Sequence, residues 1–344
     1  MALDVDPRTR RPIAIWLLTV AALVVAMVVL GGLTRLTQSG LSIVEWKPVT
    51  GVVPPLSDAA WTEEFEKYKQ FPEFQKLNRS MTLDQFKGIF WYEWSHRLLG
   101  RIIGAAFLLP FLWFLLRRRL DRALALKLGG LFVLGGLQGV VGWWMVASGL
   151  VDHPDVSHYR LTIHFGLAVL LYGALIWVAL DLLGPPETAG SVDRAGLVVV
   201  LLVYLQILSG ALVAGLDAGF GWNTWPLMFD RIVPEQWLDL EPWWLNFFEN
   251  TAAVQFSHRT TAYIVLGAAL WFWQARRKLP STTPGARRAL GALHGVVWLQ
   301  FLLGVATVLS VVQIPIAAAH QAGALALLTA ALVAVHLLPR RFAP

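Results

Sequence analysis

Eight stretches of this chain are apolar over about 20 residues or more: 13–33, 93–116, 127–147, 161–183, 195–215, 255–275, 289–309 and 316–338. A helix of that length crosses the hydrocarbon core of a bilayer. In lipid, a helix is the only open element that satisfies all its own backbone groups. The pattern predicts an all-α integral membrane protein with eight transmembrane helices. Composition agrees: 56% of residues are hydrophobic and only 15% charged, which excludes an ordinary soluble domain. The 17 tryptophans suit the two membrane–water interfaces. A net charge of +6 does not imply a nucleic-acid partner, because the basic residues gather in the loops of one side. With no cysteine, disulfides, thiolate ligands and iron–sulfur clusters are excluded.

Lys and Arg set the orientation. One side carries Arg8, Arg10, Arg11, Arg117, Arg118, Arg119, Arg122, Lys127, Arg194, Arg276, Arg277, Lys278, Arg287, Arg288, Arg340 and Arg341. The other has Arg160 and Arg231 in its short loops. Both termini are expected in the cytoplasm of a bacterial cell, with the chain in the inner membrane. The run Ile13–Leu33 exceeds a signal-peptide core and reads as a retained first span. Two outer segments are long, 34–92 and 216–254. The first holds a predicted amphipathic helix capped by Ser57, with Trp61, Phe65 and Tyr68 on one face. Thr82 and Gln85 form a capping-box pattern at the start of the second span.

The chain also repeats itself. Glu93-Trp94-Ser95-His96-Arg97 corresponds to Gln255-Phe256-Ser257-His258-Arg259 at an offset of 162. Leu137, Gln138 and Gly142 match Leu299, Gln300 and Gly304 at the same offset. His164 matches His320 at 156, and Trp46 matches Trp225 at 179. Four helices per half preserve membrane orientation, so this is a parallel repeat about an axis along the membrane normal. It predicts two tandem, pseudo-two-fold-related four-helix bundles, 1–188 and 189–344, the first carrying the long outer loop 34–92.

His96, His164, His258 and His320 lie at one depth, each about 20 residues before the far end of its helix, near the outer, periplasmic face. Ionisable residues inside a membrane mark function, and the repeat sorts these four into two pairs. Two imidazoles without thiols do not make a four-ligand zinc site. They do suit the two axial positions of a haem in an apolar slot. Gly100, Gly104, Gly142, Gly166, Gly267 and Gly304 allow close approach and are equally explained by helix packing. Arg97 and Arg259 follow the histidines and either pair with haem propionates or snorkel to the interface. The halves differ at Glu93, which becomes Gln255. A carboxylate can move protons and an amide cannot, so the first half reads as the reaction site. The alternative for Glu93 is an ion pair with a nearby arginine. His153, His158, His294 and His336 are read as loop or snorkelling residues.

These motifs resemble haem A synthase. So do the first-loop signature running from Gly31 to Ser42, Trp46-Lys47-Pro48-Val49-Thr50-Gly51, Pro54-Pro55, Phe65, Tyr68 and Phe86-Lys87. The likeness runs from about 13 to 338 and is nearest the proteobacterial and mitochondrial branch, which lacks the loop cysteine pair of another branch. It implies oxidation of the C8 methyl of haem O to a formyl group, giving haem A for cytochrome oxidase assembly. It further implies that His258 and His320 ligate a haem b cofactor, with Arg259 beside it. His96, His164 and Arg97 would bind the substrate haem, with Glu93 as the catalytic group. Haem O synthase, an electron donor, membrane lipid and a second copy of the chain are the expected partners. The competing readings are a non-enzymatic bis-histidine two-haem cytochrome b, which would place ligands near both faces, and a transporter, which would place polar groups at the midplane.

Overall fold

In a computed structural model residues 7–184 and 192–338 are described. The expected boundary between halves at 188/189, and Arg340 and Arg341, lie outside them. Eight long helices dominate: α1 (Pro7–Leu36), α4 (Leu83–Leu116), α5 (Arg122–Ser148), α6 (His158–Leu183), α7 (Arg194–Gly215), α10 (Thr251–Arg277), α11 (Pro284–Leu309) and α12 (Ile314–Leu337). Short helices α2 (Asp58–Tyr68) and α3 (Pro72–Lys76) lie in the first long loop, α8 (Ala218–Gly221) and α9 (Asn246–Glu249) in the second. Seven of the eight long helices are apolar enough to cross a membrane, so the chain is an all-α membrane protein. The exception is α10, 27 residues long. Its first turns carry Gln255, Ser257, His258, Arg259, Thr260 and Thr261, which dilute its apolar character.

Local chemistry starts these helices where the chain enters from a loop. Asp121 caps α5, Ser157 caps α6, Asp193 caps α7, Asn250 caps α10 and Thr283 caps α11, each side chain accepting from a backbone N–H of the first turn. These are donors that the helix itself cannot satisfy. The capping box at Thr82 and Gln85 forms as expected, and α4 runs unbroken from it through the membrane segment.

Contacts fall in two closed circuits. α1 packs on α4 and α6, and α5 on the same two; α7 packs on α10 and α12, and α11 on the same two. α6 touches α7 and α12, and α1 touches α12, joining the circuits. Burial is uneven along the helices. Toward the basic side a continuous core forms, including Leu17, Phe107, Leu128, Leu175, Phe272, Leu290, Leu293 and Leu328. At the level of the four histidines the packing opens. No residue is fully buried in 94–106 of α4, 129–148 of α5, 158–165 of α6, 256–264 of α10, 298–309 of α11 or 314–324 of α12.

The first long loop folds into its own small core of Ile43, Val44, Trp61, Phe65, Tyr68, Phe86 and Phe90. Ser57 caps α2, and Trp61, Phe65 and Tyr68 are its buried face, as the sequence pattern predicts. Inside this cap Tyr68 Oη donates to Glu73 Oε2 at 2.9 Å, and Asn78 Nδ2 donates to Tyr68 Oη at 2.7 Å. The second long loop is organised by a neutral hub instead. Asn246, fully buried, accepts from Leu240 N and Asn250 Nδ2 and donates to Leu240 O and Trp243 O.

Candidate active site

Each of the four histidines lies against a glycine of the next helix in its circuit. A Cβ on Gly31 (α1) would stand 2.8 Å from His96 Cε1, and one on Gly142 (α5) 2.8 Å from His164 Cε1. In the other circuit, a Cβ on Gly210 (α7) would be 3.1 Å from His258 Cε1, and one on Gly304 (α11) 2.9 Å from His320 Cε1. The four glycines keep the offsets of the sequence repeat: 210 − 31 = 179 and 304 − 142 = 162. In the sequence Gly142 and Gly304 are indistinguishable from packing glycines; Gly31 enters only as the start of the first-loop signature, and the Trp46/Trp225 offset of 179 leads from it to Gly210. His164 lies within electrostatic reach of His96, and His320 of His258. The backbone is matched too. Gln138 Nε2 donates to His164 O at 2.8 Å, and Gln300 Nε2 to His320 O at 3.0 Å.

The arginines are held alike. Arg97 donates from Nη2 to Ile43 O at 2.7 Å and from Nη1 to Glu45 O at 2.8 Å. Arg259 donates from Nη2 to Trp222 O at 2.6 Å and from Nη1 to Thr224 O at 2.7 Å. Residues 43 and 45 plus 179 give 222 and 224, so each arginine ties its histidine helix to equivalent carbonyls of its outer loop.

The two sites then diverge. Glu93, 3% exposed, accepts four donors: Ser42 Oγ and Ile43 N, each at 2.7 Å, and Arg97 Nε and Nη2 at 3.1 and 2.6 Å. A buried carboxylate persists only when matched in this way. Gln255, 1% exposed, reaches only Trp222 O, at 3.4 Å, and its Oε1 and Arg259 Nε have no partner. The histidines diverge in the opposite sense. His258 Nδ1 has Ser209 Oγ at 2.8 Å and Gln206 Nε2 at 3.1 Å. Thr261 Oγ1 in turn donates to Gln206 Oε1. Subtracting 179 places Met27 and Leu30 at the matching positions of α1, and His96 Nδ1 is buried without a partner. His164 Nδ1 and His320 Nδ1 are likewise unpartnered.

A family model described as a cytochrome oxidase assembly protein, COX15-CtaA, matches residues 14–332. Heme A synthase of Parvibaculum lavamentivorans is 50% identical over 341 residues, 98% of both chains. That of Nitrosospira multiformis is 52% identical over 340 residues, 96% of this chain and 95% of the relative. That of Rhodospirillum centenum is 51% identical over 339 residues, 95% and 88% of the two chains. The chain belongs to the haem A synthase family. For a family defined by haem chemistry, the donor set is telling. Among the described residues no group of three or more His, Asp or Glu could hold a bare metal ion. Two imidazoles per circuit, half-buried, beside glycines and on helix segments of α4, α6, α10 and α12 that have no fully buried residue, fit an iron already held in a macrocycle.

The remaining histidines separate from these sites. His158 Nε2 is 3.5 Å from Glu249 Oε2, and His153 lies in the loop before α6. His294 and His336 do not snorkel. His294 stacks on Trp273, with ring centres 4.1 Å apart. His336, 5% exposed, meets Asp181 Oδ1 at 2.9 Å and Trp177 edge-on, bridging α12 to α6. The sequence reading missed this because Asp181 sits in the other half, with no repeat partner to reveal it.

Proposed function

We propose that this protein oxidises the C8 methyl of haem O to a formyl group by successive hydroxylations, yielding haem A for cytochrome oxidase assembly. Membership of the family carries the reaction; the unequal histidine sites carry its placement. The eight long helices form two four-helix bundles, 1–188 and 189–344, side by side, an architecture supported by the two contact circuits and the conserved offsets between them. The C-terminal bundle holds a permanent haem b between His258 and His320. The N-terminal bundle receives haem O between His96 and His164. Haem supplies the redox chemistry of both sites.

The observation that carries this division is that His258 is fixed by Ser209 and Gln206, whereas His96 has no such support. A resident cofactor gains from an axial ligand locked in orientation. A substrate that must enter and leave gains from a ligand that can yield. The chain's own residues do the rest. Glu93 fixes Arg97 and the 42–45 loop over the substrate edge, and Ser42 supplies an exchangeable proton hydrogen-bonded to Glu93 Oε2. Arg259 Nε, lacking a carboxylate partner, is available to a haem propionate in a way that Arg97 Nε is not. The basic side is the cytoplasmic side of the inner membrane, which puts both sites near the periplasm. Haem O synthase would supply the substrate, and an electron donor the reducing equivalents.

Purified protein given haem O, a reductant and dioxygen as the oxidant is expected to produce formyl-bearing haem, read by its pyridine haemochrome spectrum and mass. Bound haem b without conversion, under the same conditions, would leave a two-haem electron-transfer cytochrome as the correct reading.

A further inference from the structure

On the basic side, far from the histidine layer, the C-terminal end of α10 and the first turns of α11 border an open pocket of about 340 Å³ lined by Trp273, Arg277, Lys278 and Arg287. Its floor is a stack: His294 lies against Trp273, and the Arg277 guanidinium sits 4.0 Å from the centre of the indole. Arg277 Nε also donates to Gln274 Oε1 at 2.9 Å. One cation is therefore fixed in place without being neutralised.

Among the described residues, counter-charge is sparse in this neighbourhood. No Asp or Glu follows Glu249 in the sequence. The acid nearest in the contact pattern, Asp193, is committed to Arg276 at 2.7 and 3.2 Å. Among the described residues neither Arg277, Lys278 nor Arg287 forms an ion pair. The loop between α4 and α5 differs, since Asp121 stands among its arginines. Three cations around one pocket, none in an ion pair among the described residues, favour an anion there. Their position at the ends of two long membrane helices, with an interfacial tryptophan, puts them at the depth of lipid phosphates.

We propose that this pocket binds the headgroup of one anionic phospholipid, its phosphate held by Arg277, Lys278 and Arg287 and its glycerol backbone lying against Trp273. Phosphate is the recognised group, and the site takes it from a lipid rather than from solution because the acyl chains can run down the apolar faces of α10 and α11.

Native mass spectrometry of the detergent-purified, haem-loaded protein with phosphatidylglycerol or phosphatidylcholine tests this. One phosphatidylglycerol should survive activation that strips phosphatidylcholine. The triple variant Arg277→Gln, Lys278→Gln, Arg287→Gln should retain that lipid about a hundredfold less well, since each cation near anionic lipid contributes on the order of fivefold. The triple variant Arg117→Gln, Arg118→Gln, Arg119→Gln, with the same change in charge, should retain it unchanged. Full haem content in both variants shows that they are folded. Equal loss in both variants, or undiminished retention in the first, overturns the proposal. Displacement of the lipid by glycerol 3-phosphate at matching concentration would make this a free-phosphate site and would also overturn it.

Discussion

The two histidine sites of this molecule share a scaffold and differ in what is held still. Two glycines, one glutamine-to-carbonyl bond and one arginine clamp recur in each half, each element at its own offset of the sequence repeat. Against that constancy, the C-terminal half restrains its histidine and leaves its outer-loop network incomplete: His258 has Ser209 and Gln206, while Gln255 Oε1 and Arg259 Nε are unpaired. The N-terminal half completes the loop network through Glu93 and leaves His96 unrestrained. Rigidity has moved from the histidine to the loop above it. That exchange is what the proposed division asks for, with one site keeping its haem and the other turning haem over.

The severest break in the comparison is loss of a ligand. His258→Ala or His320→Ala should abolish the haem b absorption of the purified protein, whereas His96→Ala and His164→Ala should keep it and lose product. Loss of haem b in His96→Ala, with His258 intact, would reverse the assignment of the halves. Next in size is Glu93→Gln, which makes the first half imitate the second. Haem b should remain, and haem A formation should fall about a hundredfold, within the range for losing a positioned acid–base group. Full activity in that variant would leave Glu93 with only its loop-tethering role, which loosened hydrogen-exchange protection of residues 42–45 would report.

Much of this contrast was visible in the sequence because it lies in side-chain identity at matched positions. The paired histidines, Glu93 against Gln255 and the cap formed by Trp61, Phe65 and Tyr68 all follow from spacing and periodicity. The spans were legible for the same reason; 255–275 reads as an apolar stretch of spanning length, although the polar first turns of α10 keep it out of the seven helices apolar enough to cross a membrane. What stayed hidden depends on which atoms meet across helices. Met27 and Leu30 against Gln206 and Ser209 are unremarkable substitutions in apolar helices until His258 is seen to lie between the latter two. Gly31 is one of two adjacent glycines in a helix, and only its neighbour's ring shows why a side chain is not tolerated there. Asp181 and His336 are 155 residues apart and obey no internal symmetry.

A smaller effect sharpens the account of His258. Ser209→Ala removes a hydrogen bond from the ring while leaving the ligand in place. Haem b affinity should drop about tenfold, as is usual for groups that orient a ligand, with a shifted midpoint potential. Leu30→Ser, the reciprocal change, should tighten retention of substrate haem and slow its release. Unchanged potential and affinity in Ser209→Ala would remove the argument that this bond marks the resident cofactor.

The smallest effect separates the outer caps. Glu73 is 4% exposed, and burial, together with the charges of Glu93 and Asp155, pushes its carboxyl up to about 7 from 4.5. The donor Tyr68 Oη offsets this only in part. A raised folded-state value means that the protonated acid favours the fold. The contribution is fully present below about 4.5 and is lost as pH rises through about 7. Amide protection in the first cap, corrected for intrinsic exchange, should therefore fall on the order of tenfold between pH 5 and pH 8. Glu73→Gln should flatten that dependence. The second cap is the internal control, because its hub is Asn246, which does not titrate. Glu45 and Glu63, held below their ordinary values by Lys47 and Lys67, act in the opposite sense and only below this window. A first cap that loosens equally in the Glu73→Gln variant would shift the cause to another titrating group and leave Glu73 a purely structural acid.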